Sequence, residues 1–182
     1  MMSLYLTIVL APLAGAILAG LFGRWVGKAG AHWATILGVG VSFACSVVAF
    51  YHIGWLGEPA YNARVYTWAA SAGIQFDVGF LVDRLTVLMI TVVNFVSLMV
   101  HIYTVGYMRD DPGYRRFFSY ISLFTFFMLM LVMANNFMQL FFGWEGVGLV
   151  SYLLIGFWFQ RESANYAALK AFLVNRVGDL GF

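Results

Sequence analysis

Charge is scarce in this sequence: only 10% of its 182 residues are Asp, Glu, Lys or Arg, while 63% are hydrophobic. A water-soluble domain of that composition would have too little polar surface to cover itself. Cys45 is the single cysteine, which excludes an internal disulfide and any multi-cysteine metal site supplied by this chain alone. In its apolar run it reads as a small residue packed between helices. No glycine-rich phosphate loop follows a strand, and there is neither a nucleophile elbow nor a cysteine cluster. Nucleotide, flavin and iron–sulfur chemistry therefore belongs elsewhere. The net charge of +2 is small and the ten basic residues are dispersed, so no patch points to nucleic acid.

Long apolar runs are what the sequence has instead. They far exceed the roughly 10 residues of a barrel strand and match the roughly 20 of a membrane-spanning helix, which predicts an all-α polytopic transmembrane bundle. Uncharged stretches run from Leu4 to Phe22, Trp33 to Leu56, Leu85 to Met108 and Phe117 to Met133. A fifth runs from Phe137 to Phe159 and is interrupted only by Glu145, and a sixth begins near Ala164 and looks truncated at Phe182. Positive charge follows the first stretch rather than preceding it, so that stretch reads as an uncleaved anchor and not a signal peptide. Arg24, Lys28, Arg109, Arg115, Arg116 and Arg161 fall in alternate loops, whereas the intervening loops hold only Arg64 and Arg84. The positive-inside rule then places the N-terminus outside the cytoplasm. Between Gly57 and Arg84, the residues Ile74, Phe76, Val78 and Phe80 alternate with Gln75, Asp77 and Gly79. That is a strand period, and it predicts a small non-cytoplasmic β-hairpin over about 61–82, with its turn at Ala69 to Gly73.

Glu145 lies roughly 12 Å along its helix in a hydrocarbon core of about 30 Å. A carboxylate there is costly unless neutral, paired or hydrated, so it marks a proton or ion route or a structural pair. Gly143, Gly146 and Gly148 allow close approach around it, and Ser151 and Tyr152 extend a polar path. In the sixth segment Arg176 and Asp179 are three residues apart and meet on one face, as do Asn175 and Asp179 at four. Lys170 is half a turn out of phase with Asp179; it either faces another neighbour, where desolvation frees its proton, or snorkels to the interface. His101, deep in the third segment, is either a relay member or a hydrogen-bonded packing histidine. Asp83 and Arg84 read as an ordinary helix start, while His32 and His52 lie near interfaces.

The run Tyr107-Met108-Arg109, the stretch Gly113-Tyr114-Arg115-Arg116-Phe117-Phe118, the motif GWEGVGLVSYLLIGFW from Gly143 to Trp158 and KAFLVNRVGDLGF from Lys170 to Phe182 resemble the subunit L family of bacterial respiratory complex I. The resemblance covers the whole chain. It implies the N-terminal part of an antiporter-like, proton-translocating membrane subunit of NADH-quinone oxidoreductase in the bacterial inner membrane. By that resemblance Glu145 belongs to a charged axis that moves protons, and Lys170, Arg176 and Asp179 match the same motif. NADH, FMN, iron–sulfur clusters and quinone are then bound by partner subunits and no cofactor by this chain. Its neighbours are other membrane subunits, especially another antiporter-like one, and the lipid bilayer. The family's essential lysines lie on later helices, which leaves Glu145 here without its cation and marks the chain as a fragment. Mrp-type cation/proton antiporters share the GWE core, and a structural membrane scaffold is the reading from another class.

Overall fold

In the computed structural model, residues 1–71 and 74–181 are described. Six helices and one hairpin make up the fold: α1 (Met2–Gly20), α2 (Gly23–Ala49), β1 (Tyr61–Ser71), β2 (Ile74–Val82), α3 (Arg84–Tyr107), α4 (Tyr114–Val132), α5 (Phe137–Ile155) and α6 (Glu162–Gly181). The first five helices are long and apolar enough to cross a membrane. Glu162, Lys170, Arg176 and Asp179 keep α6 outside that group.

Pro12 sits inside α1, where its missing N–H leaves the carbonyl four residues earlier without an intrahelical partner. That carbonyl belongs to Ile8, and the Ser42 hydroxyl of α2 donates to it at 2.6 Å. Helix α4 makes similar ties to α1, since Ser122 donates to the Pro12 carbonyl and Ser119 to that of Ala16. Three helices are thereby stitched by hydroxyl-to-carbonyl bonds, which suits an environment where apolar contact alone gives little preference.

Helix α2 starts at Gly23, well before the expected Trp33, and breaks its regular backbone at Gly27 with φ 75° and ψ −174°. That conformation belongs to glycine. The extension escapes a hydropathy reading because it carries Arg24 and Lys28. At its far end α2 passes into a π-helical stretch, Phe50–Trp55, where His52 bonds Glu58 at 2.8 Å.

Both strands are present, antiparallel and in register Tyr61↔Val82, Ala63↔Phe80 and Ala69↔Phe76, with irregularities after Arg64 and Thr67. The strands reach further than the alternation predicted: Ala69, Ala70 and Ser71 pair within β1, while the rest of the expected turn, residues 72 and 73, lies outside the described residues. Phe80 and Val82 are buried against Tyr5, Ile53, Val87 and Leu129, so the hairpin caps one end of the bundle. Its backbone is also tied to the helices, because Leu81 N–H donates to Met133 O and Gly79 N–H to Gln139 Oε1.

At the opposite end the basic residues gather. Lys28 Nζ donates to Arg109 O, Arg115 to Gly23 O and Arg116 to Phe157 O, and Arg161 stacks over Trp158. The two ends thus differ in charge as the loop pattern predicted.

Asp83 caps α3, accepting the Thr86 N–H at 2.8 Å, and that bond holds its carboxyl below the usual carboxylate range. The ionised cap stabilises the fold at neutral pH, and its contribution fades as pH falls through the lowered folded-state value. Asp83→Ala should cost about 1 kcal/mol in detergent unfolding at pH 7 and less in acid; a pH-independent loss would remove the cap as its cause.

Candidate functional site

Helices α5 and α6 build the site between them. Asn136 starts α5 by accepting the Gln139 N–H, and the chain then runs apolar to Glu145. Two glycines on the same helix set its distance from α4. A Cβ on Gly143 would stand 2.7 Å from the backbone nitrogen of Leu131, and one on Gly146 would enter the Phe127 ring. Glu145 lies between them in the sequence, two residues after Gly143 and one before Gly146.

Arg176 of α6 donates through Nη1 to both carboxylate oxygens of Glu145 at 2.5 Å and lies 3.7 Å from Asp179 Oδ2. Asp179 is held by a second group, the Trp144 indole, whose Nε1 donates to Oδ1 at 2.8 Å. Arg176 also stacks on Phe172, with 4.8 Å from the guanidinium carbon to the ring centroid. The cluster borders a cavity of about 170 Å³ whose wall includes Ser151 and Asn175. Two carboxylates therefore compete for one guanidinium, and the cluster carries one negative charge more than it can neutralise when both are ionised.

The cation beside Glu145 comes from within the chain, which corrects the expectation of an unpaired carboxylate. Spacing put Arg176 with Asp179 on one helix face, and that contact exists, but the shorter bonds cross to α5. Lys170 does not join the cluster; it is exposed and has no hydrogen-bond or ion-pair partner among the described residues. Tyr152 contacts the Phe172 ring rather than a charged group, and the Ser151 hydroxyl is spent on Val147 O. His101 is fully buried on α3, in a different part of the bundle.

Sequence reasoning missed Trp144 as the holder of Asp179, and it missed the polar stripe around His101. Asn94, Ser97, His101 and Thr104 recur at helical spacing along α3, a signal that averaged hydropathy hides. Among the described residues no group of three or more His, Cys, Asp or Glu side chains gathers as metal ligands would.

Five apolar spans with an ion cluster between two of the helices define a multi-pass membrane protein. A family model described as NADH-ubiquinone oxidoreductase (complex I), chain 5 N-terminus matches residues 68–118, and one described as NADH:quinone oxidoreductase/Mrp antiporter, TM matches 134–182. NADH-quinone oxidoreductase subunit L of Neisseria meningitidis serogroup A is 62% identical over 100% of this chain and 27% of its own length. NADH-ubiquinone oxidoreductase chain 5 of Arabidopsis thaliana is 52% identical over 98% of the chain and 26% of its own. The chain belongs to this subunit L and chain 5 family, and it spans about a quarter of the length of the curated relatives it matches. The fold is shared with a chain of the membrane-bound sulfane sulfur reductase, an archaeal respiratory membrane complex: TM-score 0.80 at 16% identity, over 98% of this chain and 35% of that one.

Proposed function

We propose that this chain forms part of a proton-translocating membrane subunit of NADH-quinone oxidoreductase, with Glu145, Arg176 and Asp179 as a proton-exchange point and the redox chemistry in partner subunits. The observation that carries this is one guanidinium shared by two carboxylates on helices α5 and α6. When Glu145 is ionised, Arg176 binds it; when Glu145 takes a proton, Arg176 is drawn to Asp179, 3.7 Å away. The protonation of one acid thus changes the partner of the other, and a neighbouring charge can drive the switch. Lys170 and His101 lie outside this cluster.

The second family model's description also covers Mrp antiporters, and cation exchange is the alternative. The 62% identity to subunit L favours the respiratory complex. A scaffold that merely packs its neighbours makes a different prediction. Glu145→Gln combined with Arg176→Met removes both charges of the closest pair and leaves Asp179 its bond from the Trp144 indole, so packing should survive. Proton uptake by vesicles carrying the intact complex should fall sharply in the double variant; uptake at the wild-type rate with normal assembly would support the scaffold.

For orientation, the basic end is assigned to the cytoplasm of a bacterial inner membrane and the hairpin to the other side. A cysteine at the exposed Asp110, in a Cys45→Ala background, should react with an impermeant reagent only from inside. Asp111 is unsuitable because its carboxylate receives the Gly113 N–H and the Trp158 indole. Labelling from outside would invert the topology.

A further inference from the structure

Helix α3 carries a second polar site, which does not depend on the role of Glu145. His101 is 0% exposed, and its Nδ1 lies 2.7 Å from the Ser97 carbonyl. A carbonyl only accepts, so Nδ1 must hold the proton, and in the neutral ring Nε2 is then a lone-pair acceptor. Nε2 is buried and has no hydrogen-bond partner among the described residues. About two turns toward the hairpin end, Asn94 is equally buried, with its amide against Ser42 Oγ at 3.0 Å.

Ser42 has a single hydroxyl hydrogen, and the Ile8 carbonyl freed by Pro12 takes it at 2.6 Å. The Asn94 group facing Ser42 is therefore better read as the amide NH₂, donating to Oγ. Whichever way the amide is turned, one of its two polar atoms remains buried without a partner among the described residues. Two orphaned groups about two turns apart on one helix of an apolar bundle are costly, and bound water is the usual remedy.

We propose that α2, α3 and α4 enclose a hydrated seam in which His101 takes up and returns a proton at Nε2 from an internal water, with a second water on the Asn94 amide. The balance is simple: a protonated water chain gives H⁺ to Nε2, imidazole becomes imidazolium, and the same N–H bond breaks when the proton goes back. Because Nδ1–H stays on the Ser97 carbonyl, the proton cannot leave through the other side of the ring. His101 is then a loading site rather than a link in a through-going wire. Access is from the basic end: Phe118 lies between two imidazoles, with ring centroids 6.2 Å from His101 and 6.1 Å from His32, and His32 bonds the Tyr114 hydroxyl at 2.9 Å beside Lys28. Phe118 is the apolar plug between that entrance and the seam.

The test uses the intact complex. A density map fine enough to resolve waters elsewhere in the membrane domain should contain one within hydrogen-bond distance of His101 Nε2. His101→Gln, which can bond the same water but cannot be protonated, should assemble and oxidise NADH while proton uptake falls about tenfold. A dry Nε2 in the wild-type map overturns the seam, and wild-type uptake in the variant overturns the loading role. Neither result touches the Glu145 cluster, whose own variants report on it separately.

Discussion

Glu145→Gln should assemble to wild-type levels and lose proton uptake by roughly tenfold or more. The glutamine side chain matches glutamate in size and can still accept a bond from Arg176, so the α5–α6 contact survives. Arg176 is not left alone either, because Asp179 stands 3.7 Å away and the Phe172 ring lies under the guanidinium. What disappears is the second ionisable group. With one carboxylate and one guanidinium the triad is neutral, and nothing drives a proton onto it. Glu145→Asp keeps the ionisable group but withdraws it by about 1.5 Å, one carbon–carbon bond, and should give intermediate uptake. Vesicles carrying the intact complex, energised by NADH and followed with a pH-sensitive dye, provide the measurement. Full uptake in the glutamine variant would take Glu145 out of the proton route.

The membrane character, the hairpin and the acids were readable because each leaves a signature in one stretch of chain. A 20-residue apolar run, a period of two and a lone carboxylate need no neighbour to be seen. Contacts between helices leave no such trace. Arg176 was read with Asp179 because three residues separate them, whereas its shorter bonds to Glu145 depend on how α5 lies on α6. The early start of α2 was hidden because Arg24 and Lys28 break its hydropathy, although Lys28 is secured by the Arg109 carbonyl. On α3 the reverse happened: Leu88, Val92, Phe95, Val96 and Met99 face outward and apolar, and they mask the polar stripe of buried Asn94 and His101 and half-buried Ser97. The Pro12-to-Ser42 bond shows the same limit. Proline announces a free carbonyl at Ile8, but only the packed structure names the hydroxyl that takes it.

The glycines of α5 should separate by which helix they face. Gly143 touches α4: a methyl group there would lie 2.7 Å from Leu131 N and 2.8 Å from Leu131 Cα, and backbone has no rotamer through which to yield. Gly148 faces α6 instead, and its nearest atom would be Asn175 Nδ2 at 3.9 Å, an ordinary contact. Gly143→Ala must therefore push α4 and α5 apart, at a cost of about 1–3 kcal/mol for overpacking, while Gly148→Ala costs little. The functional loss should exceed the stability loss. Glu145 sits two residues beyond Gly143, and a shift of α5 carries its carboxylate off a bond to Arg176 that is only 2.5 Å long. Positioned charges of this kind lose much of their effect when displaced by about 1 Å. Native electrophoresis should show reduced complex for Gly143→Ala, and uptake per assembled complex should drop as well. Both should stay near wild type for Gly148→Ala. Equal behaviour of the two variants would mean that the α4–α5 contact does not set the position of Glu145.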